Sequence, residues 1–274
     1  DEPVTGITIN EANFPDENFR NWILSQEYGQ DGVLTEEEIA SITGISIPGM
    51  DIQNLQGIEF FTALTMLECN SNQLTTLDLS KNIALIRLVC NDNQLTSLDV
   101  SKNTTLRTLD CNWNQLTTLD LSANTALIYL QCYNNQLTSL DVSWNTKMIQ
   151  LWCSDNQLTS LAVPKEAPLA YIGCYGNQLN GEAMDAIVEN LPVVNNISLQ
   201  VKRNDDDEGN EMTGSQVAAA KEKGWIPQYF DGTSWQDYEG SEPGVKKCAT
   251  PTIINLNGKL MFYCETEDVK YDYS

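Results

Sequence analysis

The sequence contains no histidine among its 274 residues. This absence excludes nucleophilic catalysis through Ser-His-Asp or Cys-His pairs, and it excludes zinc sites that use imidazole ligands. None of the eight cysteines belongs to a Cys-x-x-Cys pair, so a four-thiolate zinc site lacks its usual ligand spacing. Histidine-dependent hydrolases and the common zinc modules are therefore poor interpretations of this chain.

Positive charge is scarce. Lysine and arginine number 15 against 38 aspartates and glutamates, which gives a formal net charge of −23 at pH 7. Such a field repels phosphate backbones and anionic lipid surfaces, so we expect neither a nucleic-acid partner nor a membrane surface as ligand. The same field favours solubility and attracts cations.

Long apolar runs are absent. No run reaches the roughly 18 residues that a spanning helix requires, so we expect no transmembrane segment. Hydrophobic residues still make up 41% of the chain, which is enough for a packed core. The chain begins at Asp1 without a basic region or an apolar signal region, as a mature exported protein would. We expect an extracellular or cell-surface location, and a lipid anchor upstream of Asp1 remains open.

A repeat of 21 residues dominates the middle of the chain. An Asn-Gln-Leu triplet begins three residues after each repeated cysteine, and two further apolar columns precede it, giving the unit LxxLxCxxNQL. A second half such as TSLDVSKNT completes each copy. The repeated cysteines are Cys69, Cys90, Cys111, Cys132, Cys153 and Cys174.

This unit resembles the leucine-rich repeat signature over roughly residues 42–204. It is most similar to the short-repeat class of bacterial surface proteins, which includes internalin-like proteins, and to secreted repeat proteins of gut anaerobes. The resemblance implies an α/β-type leucine-rich repeat solenoid with one parallel β-strand in each ~21-residue coil. Independently, one such unit cannot bury its apolar side alone, whereas stacked units can.

Strand alternation assigns the inside and the outside of each coil. In LxC the leucine and the cysteine point inward and the intervening residue points outward. The stacked asparagines can bond backbone groups at each sharp turn. The six cysteines could serve metal binding or redox chemistry, but small buried core residues are the favoured interpretation.

The sequences on either side of the repeat array predict capping segments. Residues 1–41 read as a helical N-terminal cap, with Pro15 in the first turn of one helix and a second helix that starts at Thr35 with Glu38 in a capping box. Residues 205–240 predict a helix-and-strand C-terminal cap over the array of residues 42–204. Residues 241–274 contain a hairpin at Asn257-Gly258 and resemble the start of a β-sandwich-like module, too short to close.

Cys248 and Cys264 flank that hairpin. In an oxidising compartment they are candidates for a disulfide, and paired and free thiols both remain open.

One loop resembles an EF-hand frame. Glu27, Asp31 and Glu38 are its weak calcium candidates, with Gly32 and Glu38 at the sixth and twelfth positions. Gly29 and the missing first aspartate depart from the frame, so an empty turn is favoured. We expect no cofactor, with calcium left open.

An aspartate column recurs in the second half of each coil. These carboxylates could collect cations, although bonds from nearby turn amides, aided by serines two residues later, are favoured. The column consists of Asp78, Asp99, Asp120 and Asp141.

Outward strand positions turn aromatic toward the C-terminal half of the array. Aromatic side chains bury much area at little entropic cost and keep a polar handle, so we favour a recognition patch over simple strand propensity. The predicted patch comprises Trp113, Tyr129, Tyr133, Trp152, Tyr171 and Tyr175.

The favoured function is therefore non-catalytic binding of a protein or a glycan through the exposed strand face. We expect a monomer with a neutral or basic partner. Two alternatives remain: a structural spacer that presents the C-terminal module, and a carboxylate-based glycosidase, for which an open face offers little desolvation to tune a pair of acids.

Overall fold

The computed structural model describes residues 6–204 and 208–241, together with the backbone of the two strands Thr252–Leu256 and Lys259–Tyr263. The chain divides into two compact units, Asp1–Gly240 and Ser241–Ser274. None of the helices in the described ranges has the length and apolarity needed to cross a membrane.

The N-terminal cap combines two short strands with two helices. Strand β1 (Gly6–Thr8) pairs antiparallel with β2 (Val33–Thr35), and helices α1 (Glu17–Ser25) and α2 (Glu36–Ser41) follow each of them. A 3-10 turn, Glu27–Gly29, lies between α1 and β2. Phe19 and Ile23 are fully buried under the first coil, so the apolar face of α1 closes that end of the core.

The N-termini of the two helices show that one prediction was wrong and confirm another. Asp16 caps α1, with its Oδ1 accepting the Phe19 amide at 3.0 Å, so Pro15 precedes the cap and does not lie in the first turn. The predicted capping box is present at α2, where Glu38 Oε2 accepts the Thr35 amide at 2.8 Å and Thr35 Oγ1 accepts the Glu38 amide at 3.2 Å.

The array carries one parallel strand in each coil. A second 3-10 turn, Ile58–Phe60, lies before the second strand. Equivalent leucines stand in register, as Leu67, Leu88 and Leu109 do in neighbouring coils. The elements in chain order are β3 (Gly44–Ser46), β4 (Met66–Glu68), β5 (Arg87–Val89), β6 (Thr108–Asp110), β7 (Tyr129–Gln131), β8 (Ser139–Asp141), β9 (Gln150–Trp152), β10 (Ser160–Ala162), β11 (Tyr171–Gly173), α3 (Glu182–Asn190) and β12 (Ile197–Arg203).

The C-terminal end continues the same sheet. Helix α4 (Gly214–Glu222) leads into β13 (Trp225–Phe230), which pairs parallel with β12, and β14 (Trp235–Asp237) returns antiparallel to β13. The main sheet has ten strands in the order β3-β4-β5-β6-β7-β9-β11-β12-β13-β14. Strands β8 and β10 form a separate parallel pair in the second half of their coils. The predicted solenoid with one main-sheet strand in each coil is confirmed.

The second unit contains the antiparallel hairpin of β15 (Thr252–Leu256) and β16 (Lys259–Tyr263). Cys248 and Cys264 lie outside the described residues, so their pairing stays a prediction.

Leucines and cysteines fill the inside of each coil. The six repeated cysteines are at most 1% exposed and carry free thiols. Burial raises the pKa of Cys69 and of Cys174 to about 12, and burial is also the main cause that raises the pKa of the four thiols between them well above its ordinary value. The described thiols are therefore neutral core groups at physiological pH, as the favoured interpretation predicted.

The predicted asparagine ladder links successive coils. Asn114 Nδ2 donates to the carbonyls of Cys90, Cys111 and Asn112 at 3.1 Å each, and its Oδ1 accepts the Leu95 amide at 2.9 Å. Similar bonds are made by Asn72, Asn93, Asn135, Asn156 and Asn177. Each side chain thus satisfies turn groups of its own coil and of the preceding one.

A second asparagine column was not predicted from the sequence. Asn103 is fully buried and its Nδ2 donates to the carbonyls of Leu79 and Asn82 at 3.2 and 2.9 Å. Asn82, Asn124 and Asn145 repeat this arrangement in their coils. Two columns of buried asparagines therefore hydrogen-bond successive coils to one another.

Candidate binding face

The strand face consists of the outward side chains of the main sheet: in each coil, the residues three before, one before and one after the repeated cysteine, with the turn residue that follows. In β4, Met66 and Glu68 are partly exposed while Leu67 between them is fully buried. The framework fixes where these side chains lie and leaves their identity free, which is why the sequence predicts recognition residues on this face.

The first coils make this face polar. Glu68 forms a hydrogen bond to Ser46 Oγ at 3.0 Å and an ion pair with Arg87 Nε at 3.2 Å. Asp110 Oδ1 accepts Asn112 Nδ2 at 2.6 Å. Burial raises the pKa of Asp110, although the Asn112 amide and the Arg87 charge act in the opposite direction.

The later coils make it aromatic. The rings of Trp152 and Tyr171 lie 5.0 Å apart between centroids at 37°, and the Tyr171 hydroxyl donates to Gln200 Oε1. Burial raises the pKa of Tyr171 well above its usual range, so this hydroxyl stays protonated and keeps its hydrogen bond to Gln200.

Tyr175 connects this cluster to the cap. The Arg203 guanidinium lies over its ring, 5.1 Å from the centroid, and is held there by an ion pair with Asp155 at 2.6 Å. The ring of Trp235 packs 5.2 Å from that of Tyr175 and 5.4 Å from that of Phe230. The structure therefore extends the aromatic patch beyond the predicted residues.

Phe230 and Trp235 were missed because they lie outside the 21-residue period. The signal in the sequence was two aromatic residues flanking Gly232, whose positive φ of 100° suits a reversal between β13 and β14. Only the pairing of these strands with the array places Trp235 beside Tyr175 and Phe230 beside Trp235.

Trp113 and Tyr129 are the most exposed of the predicted residues, at 56% and 38%. Trp113 adopts a left-handed φ of 51°, a conformation that is costly for a bulky side chain. Equivalent turn positions in other coils carry small or polar residues such as Ser71, Asn134 and Gly176. A largely exposed tryptophan at such a position contributes little to the packing of the coil.

Tyr133 lies in the next coil, directly after the cysteine. Its pKa is raised mainly by burial and further by the charge of Asp110. By the definition given above, all six predicted aromatic residues belong to the strand face, and Trp113 is the first of them along the array.

The other candidates from the sequence take structural roles. Glu38 uses its carboxylate in the capping box, and Asp31 Oδ1 accepts the Val33 amide at 3.0 Å. In the described parts of the chain no group of three or more acidic or thiol side chains is placed to hold a metal ion. Calcium binding by Glu27, Asp31 and Glu38 stays a prediction.

The aspartate column binds turn amides, as the favoured interpretation predicted. Asp78, Asp99, Asp120 and Asp141 each accept the amide two residues later at 2.9 Å. Hydrogen bonds from those serines lower the pKa of the first three aspartates.

Comparison with known proteins supports the repeat assignment. No protein-family model matches the chain. A stretch of 70 residues, 25% of the chain, is 40% identical to Internalin J of Listeria monocytogenes serotype 4b (strain F2365) and spans 8% of that protein. The similarity is thus to a small part of a much longer bacterial relative.

Solved structures share the fold. The internalin InlF of Listeria monocytogenes str. 4b F2365 aligns over 84% of this chain and 75% of its own, with a TM-score of 0.53 and 23% identity. A chain of the LRIM1/APL1C complex aligns over 71% of this chain and 40% of its own, with a TM-score of 0.54 and 17% identity. This protein is therefore a leucine-rich repeat solenoid similar to bacterial internalins.

Proposed function

We propose that the protein is a non-catalytic, exported binding protein that recognises a segment of another protein through its strand face. The observation that carries the proposal is the concentration of partly exposed aromatic side chains on that one face. Trp113 at a strained backbone position and the aromatic extension into the cap support it. Buried aromatic anchors commonly dominate protein interfaces.

Ring packing favours a protein ligand over a glycan on this face. A stacked sugar needs a free ring face, whereas Trp152 packs against Tyr171, and Tyr175 lies between Arg203 and Trp235. Aromatic and polar groups that already pack against one another in this way suit the varied side chains of a protein segment.

Charge favours a neutral or basic partner. The arginines of the strand face, Arg87 and Arg203, are both paired with carboxylates. The net charge of −23 adds a long-range field that accelerates the approach of a basic surface and repels an acidic one.

The test is a pair of substitutions on the aromatic face. Intact protein is screened on protein and glycan arrays, and the affinity for a confirmed protein ligand is measured by calorimetry. Trp152→Ala combined with Tyr133→Ala is expected to weaken binding by about 100-fold or more, since each anchor carries on the order of 2 kcal/mol.

Ile83→Ala is the matched control, because Ile83 is 59% exposed but lies outside the strand face. This variant should bind like the unmodified protein, and all variants should keep the same far-UV circular dichroism. Equal affinity of the double variant would refute the aromatic face as the binding site. If neither array yields a ligand, the result would favour the spacer function.

A further inference from the structure

Trp144 lies in the second half of its coil, outside the strand face, and is 61% exposed. The equivalent residues of the three preceding coils are Lys81, Lys102 and Ala123, so packing of the coil does not require an aromatic residue there. A large apolar ring exposed to this extent calls for an explanation other than folding.

The indole borders a depression of about 280 Å³ between two neighbouring coils. Leu119 supplies an apolar patch, and the hydroxyls of Thr118, Ser122 and Ser139 supply donors and acceptors. Asp120 and Asp141 add two carboxylates. Apolar and hydrogen-bonding groups thus share one small concave surface.

Backbone contacts hold both carboxylates in place. Asp120 Oδ1 accepts the Ser122 amide and Asp141 Oδ1 accepts the Ser143 amide, each at 2.9 Å. Bonds from Ser122 lower the pKa of Asp120, so this group is ionised at neutral pH and acts as an acceptor for ligand hydroxyls.

A second depression adjoins the first. It has a volume of about 310 Å³, shares Ser139 and Asp141 with the first, and reaches Asn190 at the end of α3. Asp141 therefore stands between two neighbouring concave surfaces, each large enough for a small ring.

We propose that these two depressions form a glycan-binding site for two successive pyranose units, separate from the strand face. The Trp144 indole stacks on the apolar C–H face of one sugar ring, and Asp120 and Asp141 accept hydrogen bonds from the hydroxyls of that ring. Asn190 contacts the second sugar ring. A sugar combines a flat apolar face with a rim of hydroxyls, which is the combination that this surface offers.

An organic cation is the competing ligand, since an indole beside two carboxylates also suits an alkylammonium group. The sugar fits better for two reasons. The three hydroxyls and Asn190 offer hydrogen bonds that a quaternary ammonium does not use, and the adjoining second depression matches a second ring.

Indole resonances of ¹⁵N-labelled protein test the site directly. Trp144→Ala removes one indole cross-peak and so assigns it. Cellobiose, lactose and N,N′-diacetylchitobiose are then titrated separately, with choline chloride as the cation probe. We expect the Trp144 cross-peak to shift saturably with at least one disaccharide, with a dissociation constant in the millimolar range.

Substitutions separate the site from the rest of the molecule. Trp144→Ala restores the residue type found at position 123, so it should fold normally, and it should weaken disaccharide binding at least tenfold. Asp141→Asn keeps the turn acceptor and should weaken binding several-fold, whereas Lys102→Ala should leave it unchanged. A Trp144 signal that moves with choline alone, moves with no probe, or stays still while another tryptophan moves would overturn the proposal.

Discussion

Raising the pH from 9 to 10 under reducing conditions is expected to lower the free energy of unfolding by several kcal/mol. The six described thiols are fully buried and their pKa values are raised from the ordinary value of 9.0, to about 12 for Cys69 and Cys174. Each thiol that ionises only on unfolding contributes about 1.4 kcal/mol per pH unit, so six give a limiting slope of roughly 8 kcal/mol per pH unit.

The direction follows from proton binding. Well below pH 9 both the folded and the unfolded chain hold these protons, so the thiols leave stability independent of pH. Between pH 9 and the raised values near 12, the unfolded chain releases protons that the folded chain keeps, and stability falls as pH rises. A loss of this size is comparable to the whole stability of a typical domain.

Urea unfolding followed by far-UV circular dichroism, in steps between pH 7 and 10 with a phosphine reductant, measures the slope. Cys111→Ala is the matched control, since it removes one thiol from the middle of the ladder. Near neutral pH this variant should be about 1 kcal/mol less stable, because the missing thiol leaves a small cavity. Its free energy of unfolding should also fall with pH at a slope about one-sixth shallower. A stability that stays constant up to pH 10 would show that the thiols do not remain protonated inside the fold.

The array was predictable because its signal is periodic. One 21-residue unit repeats the inward leucine, the inward cysteine and the turn asparagine, and stacking such units is the only arrangement that buries them together. Even the degenerate first coil, with Ile45 and Ile47 in place of leucine and cysteine, follows that pattern and is buried.

The ends were less predictable because their contacts are not periodic. Asn210 takes the place of the ladder asparagine after a long insertion, with its Oδ1 accepting the Leu179 amide at 2.7 Å and its Nδ2 donating to Cys174 and Val201. Nothing in the spacing marks Asn210. In the same way, Pro15 suits either the first turn or the residue before the cap, and the Asp16 side chain decides between them.

The sequence predicted which positions form the candidate site, but it did not predict the contacts between their side chains. Alternation along each strand assigned Tyr129, Tyr133, Trp152, Tyr171 and Tyr175 to one face, and Trp113 was added as the residue just beyond its strand; their role in binding stays a prediction. It could not show that Arg203 covers Tyr175 or that Trp235 packs beside it, because both come from strands outside the repeat. The aromatic patch therefore has a larger and more ordered C-terminal end than the repeat alone indicates.

Asn114→Ala is expected to destabilise the protein by about 3–5 kcal/mol. The Asn114 side chain donates to three carbonyls and accepts the Leu95 amide, all in buried surroundings. Removing the Asn114 side chain leaves the Leu95 amide and the three carbonyls without this partner, and these groups are buried away from solvent. Each buried group left unsatisfied costs on the order of 1–3 kcal/mol, and relaxation of the turn recovers part of the sum. Urea unfolding near neutral pH, with the m-value compared between variants, measures the change.

Asn91→Ala provides the matched control, because Asn91 lies on the strand face and is partly exposed. Its backbone carbonyl, which accepts from Asn93, stays in place, so a change within about 0.5 kcal/mol is expected. Asn114→Asp then separates the two functions of the amide: the carboxylate keeps an acceptor for Leu95 but loses the donors to Cys90 and Cys111 and buries a charge. If the coil is held by the ladder, this nearly isosteric variant should be at least as unstable as Asn114→Ala. A loss below about 1 kcal/mol for both variants would mean that leucine packing alone sets the spacing of the coils.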